Sequence, residues 1–130
     1  MNERKKVSSG TSWEDYVGYS RAIRAGHLIE VSGTVAVDEN GYVVGKNDAY
    51  QQTKYVIQKI EKAIVELGGS LKDVVKTRIY VSDINKWKDI GKAHGEYFKD
   101  IKPASTLFEV STLIGLDFYV EIEATAIVDD

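Results

Sequence analysis

Residues 103–123 read PASTLFEVSTLIGLDFYVEIE, and their pattern decides the fold. The segment opens on Pro103, the only proline of the chain. It predicts a short strand over 104–110, a turn around Gly115 and a long strand over 118–128. In the long strand Phe118, Val120, Ile122, Ala124 and Ala126 alternate with Tyr119, Glu121, Glu123 and Thr125. That is the period of a sheet with one dry face. Glu121 and Glu123 therefore project from the same side. Such a pair is either solvated charge on an open face or, in a cleft, a carboxylate able to hold a water. Periodicity leaves both open.

Working back toward the N-terminus, residues 85–99 predict a helix, with Ile84, Trp87, Ile90, His94, Tyr97 and Phe98 on or near its buried stripe. Gly91 and Gly95 lie inside it. Each costs about 1 kcal/mol relative to alanine, so a close approach by a neighbouring element is expected there. His94 is expected to be packed or hydrogen-bonded. Residues 71–81 predict a strand with Val75, Thr77, Ile79 and Val81 on one side. Residues 48–67 form the clearest helix, with Thr53, Val56, Ile57, Ile60, Ile64 and Leu67 in one stripe. Asp48 and Gln51 have the spacing of a capping box, and Gly68-Gly69 supply the stop. Lys54, Lys59, Glu61, Lys62 and Glu66 are assigned to its solvated face.

Further upstream, Asn40-Gly41 marks a hairpin. Residues 16–25 and 27–35 predict two strands joined at Ala25-Gly26, with His27 exposed at the turn. In the second, Ile29, Val31 and Gly33 face one way and Leu28, Glu30, Ser32 and Thr34 the other. Residues 1–15 read as a mobile lead-in that Trp13 packs onto a single domain of residues 16–130. The order β-β-β-α-β-α-β-β gives an α+β layer: an antiparallel-rich, mixed sheet with two helices on one face. The other face would carry Leu28, Thr34, Leu107 and Tyr119 beside polar groups. Such a mixed face suits an interface between copies.

Composition narrows the function classes. The 130 residues carry a formal net charge of −3, which argues against a general nucleic-acid or anionic-membrane binder. With no cysteine and only His27 and His94, no usual metal site can be built. No apolar run has transmembrane length and none resembles a signal peptide, so a soluble, cytoplasmic protein is expected. No phosphate-cradling loop or Ser/His/Asp grouping is present.

Four blocks in order carry a family resemblance. Gly18-Tyr19-Ser20-Arg21-Ala22-Ile23 resembles a Pro-Tyr-Ser-Gln-Ala-Ile segment, and Val31-Ser32-Gly33 a Ser-Gly strand end. Val74-Val75-Lys76-Thr77 with Ile79–Ile84 resembles a strand and its turn into a helix. Pro103-Ala104, followed by Val120-Glu121-Ile122-Glu123-Ala124, resembles the signature region of the RidA/YjgF family. These are small trimeric proteins that hydrolyse reactive enamines and imines. Some are described as endoribonucleases or translation inhibitors.

The resemblance implies a chorismate-mutase-like fold, a homotrimeric barrel of sheets with helices outside, and small-molecule sites in clefts between subunits. No cofactor is implied. It places Glu121 as the carboxylate that positions the attacking water and Tyr19 as a ring and hydroxyl lining the cleft. Gly33, with Ser32, approaches the ligand by its backbone, and Ser105, Thr106 and Leu107 hold it from a second strand. Glu123 is left structural. Two positions depart from the pattern. Ser105 stands where active members have an arginine that grips the substrate carboxylate, and a hydroxyl lacks that charge and fork. Gly91 stands where many members have an asparagine. An insertion near Ile114-Gly115 alters the loop over the site. Arg21 and Arg24 are candidates to restore the missing charge, and alternation sends them to opposite faces. Beside the hydrolase, the residues leave open a ligand-binding or regulatory trimer and an endoribonuclease.

Overall fold

The computed structural model describes residues 4–129; residues 1–3 of the expected lead-in and Asp130 lie outside the described residues. Its elements are β1 (Arg4–Val7), α1 (Ser12–Val17), β2 (Ala22–Ala25), β3 (Leu28–Thr34), α2 (Ala49–Glu66), β4 (Val74–Val81), α3 (Trp87–Phe98), β5 (Ala104–Glu109) and β6 (Val120–Ile127). They build one six-stranded sheet in the order β1-β2-β3-β6-β4-β5. Every pairing is antiparallel except β4 with β5. Parallel neighbours need a long crossover, and α3 supplies it. β3 and β4 both run antiparallel to β6, so they are parallel to each other, and α2 is the crossover between them. Both helices cover one face of the sheet. The mixed sheet and its single helical layer are as the alternation of residues 118–128 predicts.

The core lies between that face and the helices. Val56, Ile57, Ile60 and Ile64 of α2 and Ile90 and Phe98 of α3 pack on Ile29, Ile79, Val81, Val120 and Ile122. Burying each such side chain contributes roughly 1.5–3 kcal/mol. Asp48 caps α2 by accepting from Gln51 N at 3.0 Å.

Two bulges change which side chains face the core. Val31 pairs with Ala124 and Thr34 with Ile122, so Ser32 and Gly33 together oppose Glu123. One extra residue reverses the alternation beyond it. Thr34 therefore turns to the helices and is buried, against its expected place on the other face. Thr34 Oγ1 closes the bulge by donating to Ser32 O at 2.7 Å. The second bulge lies between Val74 and Lys76. It buries Val74 and leaves Val75 exposed, where the alternation alone had put Val75 on the core side. Leu107 also differs from expectation. It pairs with Ile79 and packs against the core, and Tyr119 touches the core as well. The open face instead carries Leu28, Phe108 and Ile127. Beside them Tyr80 meets the Phe108 ring edge-on and donates to Glu123 Oε1 at 2.9 Å.

The N-terminal stretch is more structured than its polar composition implies. Arg4–Val7 forms an edge strand on β2, and its basic residues suit an edge. The segment from Ser12 to Val17 is a helical turn, not the start of a strand. Trp13 does not pack this segment down: it is half exposed and stacks only on Tyr16. The anchor is Glu14, 3% exposed, which accepts from Ser8 Oγ at 2.9 Å and from Ser9 N and Oγ. On α3, Ile84 and Trp87 are exposed and only Ile90, Ala93 and Phe98 are buried. Nothing approaches Gly91 or Gly95 within 4 Å of where a Cβ would stand, so close packing does not account for either glycine.

Gln52 is a core polar group that the hydrophobic stripe conceals. It is fully buried. Its amide donates to Gly45 O at 3.2 Å and Asp117 O at 2.9 Å, and its carbonyl accepts from Tyr119 N at 2.8 Å. It ties the two loops flanking the sheet to α2. Gln52→Leu keeps the volume but orphans three backbone groups. Unpaired buried groups each cost about 1–3 kcal/mol. A loss of about 3 kcal/mol in the denaturant midpoint analysis is expected, and an unchanged midpoint would show that water replaces the amide.

Candidate functional site between strands three and six

The β3 bulge turns Gly33 to the open face, directly against Glu121. A Cβ on Gly33 would overlap Glu121 Oε2 and stand 3.1 Å from its Cδ. Only glycine leaves the carboxylate room there. Burial raises the pKa of Glu121. Arg21 opposes that shift, and Glu123 adds to it. The result is a carboxylate less acidic than usual, a shift in the direction that strengthens a general base.

Arg21 closes the other side. Its Nη2 donates to Gly33 O at 2.5 Å, and its guanidinium lies 5.8 Å from the Tyr19 ring centre. Its main chain is locked between β1 and β3, since Arg21 N donates to Val7 O and Ser32 N donates to Arg21 O. Ser32 Oγ donates to Ser20 O at 2.7 Å. Tyr19 is placed by Glu14, whose carbonyl accepts from both Gly18 N and Tyr19 N. Burial would raise the pKa of Glu14, but the hydrogen bonds from Ser9 and Ser8 and the charge of Arg21 outweigh it and hold the carboxyl low. An open groove lined by Glu14, Tyr19, Ser20, Ile23 and Ser32 runs beside the cluster.

Tyr19, Arg21, Ser32, Gly33 and Glu121 thus converge. Ser105, Thr106 and Leu107 do not join them in one chain. They lie on β5, two strands beyond β6, or roughly 10 Å at ordinary strand spacing. Ser105 pairs with Thr77 on the helix side of the sheet. Its Oγ accepts from Thr77 Oγ1 at 2.8 Å, and Thr77 Oγ1 also meets His94 Nε2 at 2.9 Å. Thr106 meets Lys76 Nζ at 3.3 Å. Arg24 is off the site. Its Nη1 donates to Leu67 O at 2.8 Å and its Nε to Gly26 O. It caps the C-terminus of α2, where unpaired carbonyls and the helix dipole favour a cation. Burial lowers the pKa of His94, in keeping with a packed helix histidine. His27 is exposed yet bonded to Val128 O through Nδ1 at 2.8 Å.

Two residues near the site were not singled out by pattern. Glu14 sits in a polar stretch with no apolar period. Lys59, assigned to solvent, instead donates to Val35 O and Val37 O at 2.9 Å each. Burial, with Arg21 adding and Asp38 opposing, lowers its pKa to about 8. Among the described residues no cluster of histidine and acidic side chains could hold a metal ion, and no helix is long and apolar enough to cross a membrane.

Comparison with known proteins bears on the family and the fold. The sequence pattern of the family described as Endoribonuclease L-PSP matches residues 11–128. A RutC family protein of Pyrococcus abyssi is 42% identical over 109 residues, 83% of this chain and 84% of that protein. The 3-aminoacrylate deaminase RutC of Acinetobacter baylyi is 36% identical over 83% of this chain and 85% of its own. A crystal structure of a YjgF/YER057c/UK114 family member from Mycobacterium tuberculosis superposes with a TM-score of 0.88 at 42% identity, covering 97% of this chain and 100% of that one. The fold is therefore YjgF-type.

Proposed function

Because this chain belongs to the Endoribonuclease L-PSP family, of YjgF type, we propose that it is a deaminase that hydrolyses small reactive imines. The observation that carries this reading is the half-buried Glu121 carboxylate set against side-chain-free Gly33. In the reaction, Glu121 orients a water and takes its proton as the oxygen attacks the imine carbon. The C=N electron pair moves to nitrogen, which gains a proton and gives a carbinolamine. The C–N bond then breaks as the carbonyl forms, a second proton reaches nitrogen, and ammonia leaves. An enamine enters the same path after protonation at carbon. Water is the only co-reactant, so the chemistry needs no cofactor. A relative at 36% identity bearing the name 3-aminoacrylate deaminase supports the class.

The complete site would be shared between copies in a homotrimer. One chain offers Tyr19, Gly33 and Glu121 from one half of the sheet, and Ser105 and Thr106 lie on the free β5 edge of the other. Leu28, Phe108 and Ile127 are each more than a third exposed on the face that a neighbour would cover. Light scattering at micromolar concentration should give three times 14.5 kDa, and a stable monomer would remove the shared cleft. The activity test is ammonia release from iminobutanoate or aminoacrylate generated in situ. Release no faster than in buffer would reject the deaminase. The uncharged Ser105, its hydroxyl engaged by Thr77, favours one second reading, a trimer that binds a ligand without turnover. Tight binding in a thermal-shift screen with no ammonia would select it. RNA cleavage ranks behind both, since the chain is net acidic.

A further inference from the structure

We propose that Ser105, fed through Thr77 by His94, is the proton donor to the substrate nitrogen. That role rests on the deaminase reading, in which the nitrogen must gain two protons before ammonia leaves. Three side chains form a chain at the β5 edge. His94 Nε2 lies 2.9 Å from Thr77 Oγ1, and Thr77 Oγ1 donates to Ser105 Oγ at 2.8 Å. A hydroxyl has one hydrogen to give. Thr77 spends its own on Ser105, so it accepts from His94, and the Ser105 hydrogen is left over. Among the described residues that hydrogen has no acceptor. Thr77 is fully buried and Ser105 is exposed. The chain therefore begins inside the protein and ends on a free O–H at the edge that a shared cleft would use.

His94 suits the supply end. Burial alone lowers its pKa, with no charged group contributing, so the ring is neutral at neutral pH. A neutral imidazole has one N–H and one bare nitrogen. Donation from Nε2 leaves Nδ1 bare, and no described residue bonds to it. Phe98 packs on one side of the ring, with centroids 4.5 Å apart. Gly91 and Gly95 frame His94 on α3, and nothing stands within 4 Å of either Cβ position. Two glycines that packing does not account for thus leave open space beside a half-buried histidine, where water can reach it.

As water from the Glu121 of another copy attacks, the C=N electron pair takes the Ser105 hydrogen. Ser105 Oγ takes the hydrogen of Thr77, Thr77 Oγ1 takes that of Nε2, and Nδ1 gains a proton from solvent. The ring ends neutral as its other tautomer. Collapse of the carbinolamine frees its hydroxyl proton. With the proton on Glu121 that makes two, of which one goes to nitrogen and one to solvent. One proton thus enters at His94 for each that leaves at Glu121. Turning the two hydroxyls and exchanging the tautomer resets the chain.

The test measures ammonia release from iminobutanoate generated in situ. Ser105→Ala, Thr77→Val and His94→Ala should each lower kcat about 10²-fold, the low end for a positioned proton donor, with KM little changed. The double variant Ser105→Ala/Thr77→Val should be no slower than either single one, because the chain is already broken. Thr77→Ser keeps the hydroxyl and should recover most of the wild-type kcat, and added imidazole should recover part of it in His94→Ala. If Thr77 and His94 only fill space, the order reverses: Thr77→Val is mild and Thr77→Ser harmful, which overturns the proposal. A second readout needs no turnover. The ring nitrogens of His94 are followed by ¹⁵N resonance and told from those of His27, the other histidine, by His27→Gln. The product oxobutanoate should shift them in wild type and Thr77→Ser but not in Thr77→Val or Ser105→Ala. The exposed Ser105→Ala decides the matter if the buried variants do not fold. Ammonia release that Ser105→Ala does not slow, or a His94 signal indifferent to oxobutanoate, overturns the relay and leaves the deaminase standing. A Ser105-dependent shift without ammonia release keeps Ser105 as a donor to the ligand and overturns the deaminase together with the proton step.

Discussion

Glu121→Gln is expected to reduce ammonia release from iminobutanoate by about 10²–10⁴-fold, the range for removal of a positioned general base. The substitution keeps the shape and one acceptor oxygen, so water can still bind but cannot hand over its proton. The loss should therefore fall on kcat. In wild type the rate should rise with pH along a single acid limb as Glu121 ionises. That limb should lie above the ordinary carboxylate value of 4.5, since burial holds the pKa up and Glu123 adds to it against the pull of Arg21. The glutamine variant should lack the limb. An unchanged rate, or an unchanged limb, would remove Glu121 from the mechanism.

The same group makes a stability prediction of definite sign. A carboxyl whose folded pKa is raised favours the folded state through its protonated form. Its contribution is complete below the unfolded pKa, about 4.3, and is lost as pH rises through the folded value. Wild type should thus weaken relative to Glu121→Gln over that interval, and at neutral pH the variant should be the more stable of the two. Paired denaturant midpoints at about pH 4 and at neutrality, bracketing the carboxylate range, check it.

Much of this arrangement was legible in the sequence because alternation and helical stripes report burial directly. The period of residues 118–128 placed Glu121 on the open face, and the stripe from Thr53 to Leu67 placed α2 on the other. What alternation cannot report is a one-residue slip. The bulge at Ser32-Gly33 sends Gly33 to the open face and Thr34 to the core, and without it Gly33 would lie on the wrong side of the sheet from Glu121. Ser105, Thr106 and Leu107 lie two strands from Glu121 within one chain, and the resemblance had set their shared site in a cleft between subunits. Polar core residues were hidden by their type. Gln52 lies four residues before Val56, hence on the buried stripe, but a glutamine there reads as a break in the pattern. Lys59 was misplaced because a long side chain can leave its own face to reach a carbonyl.

Gly33→Ala tests the bulge itself. The backbone at Gly33 is not in the left-handed region, so an alanine is not strained by its own dihedrals. Its penalty comes from contact alone. The added methyl overlaps Glu121 Oε2 and crowds Cδ and Cγ at 3.1 and 3.4 Å. The carboxylate is the far end of a flexible side chain, so it can swing away, and the fold should lose only about 1 kcal/mol, the low end of overpacking. Catalysis has no such slack. Moving the carboxylate by the width of the overlap, about 1 Å, takes it off the line of the attacking water, and misplacement of that size costs on the order of 10²-fold in rate. The rate should therefore fall far more than stability. A cycle with Glu121→Ala identifies the cause. With the carboxylate gone, the methyl meets open space, and Gly33→Ala should no longer destabilise. The two changes are then coupled, as expected of groups in contact. If Gly33→Ala is as harmful to stability with Glu121 removed as with it present, the glycine is serving the bulge hydrogen bonds around Ser32 and Thr34 rather than making space for the carboxylate.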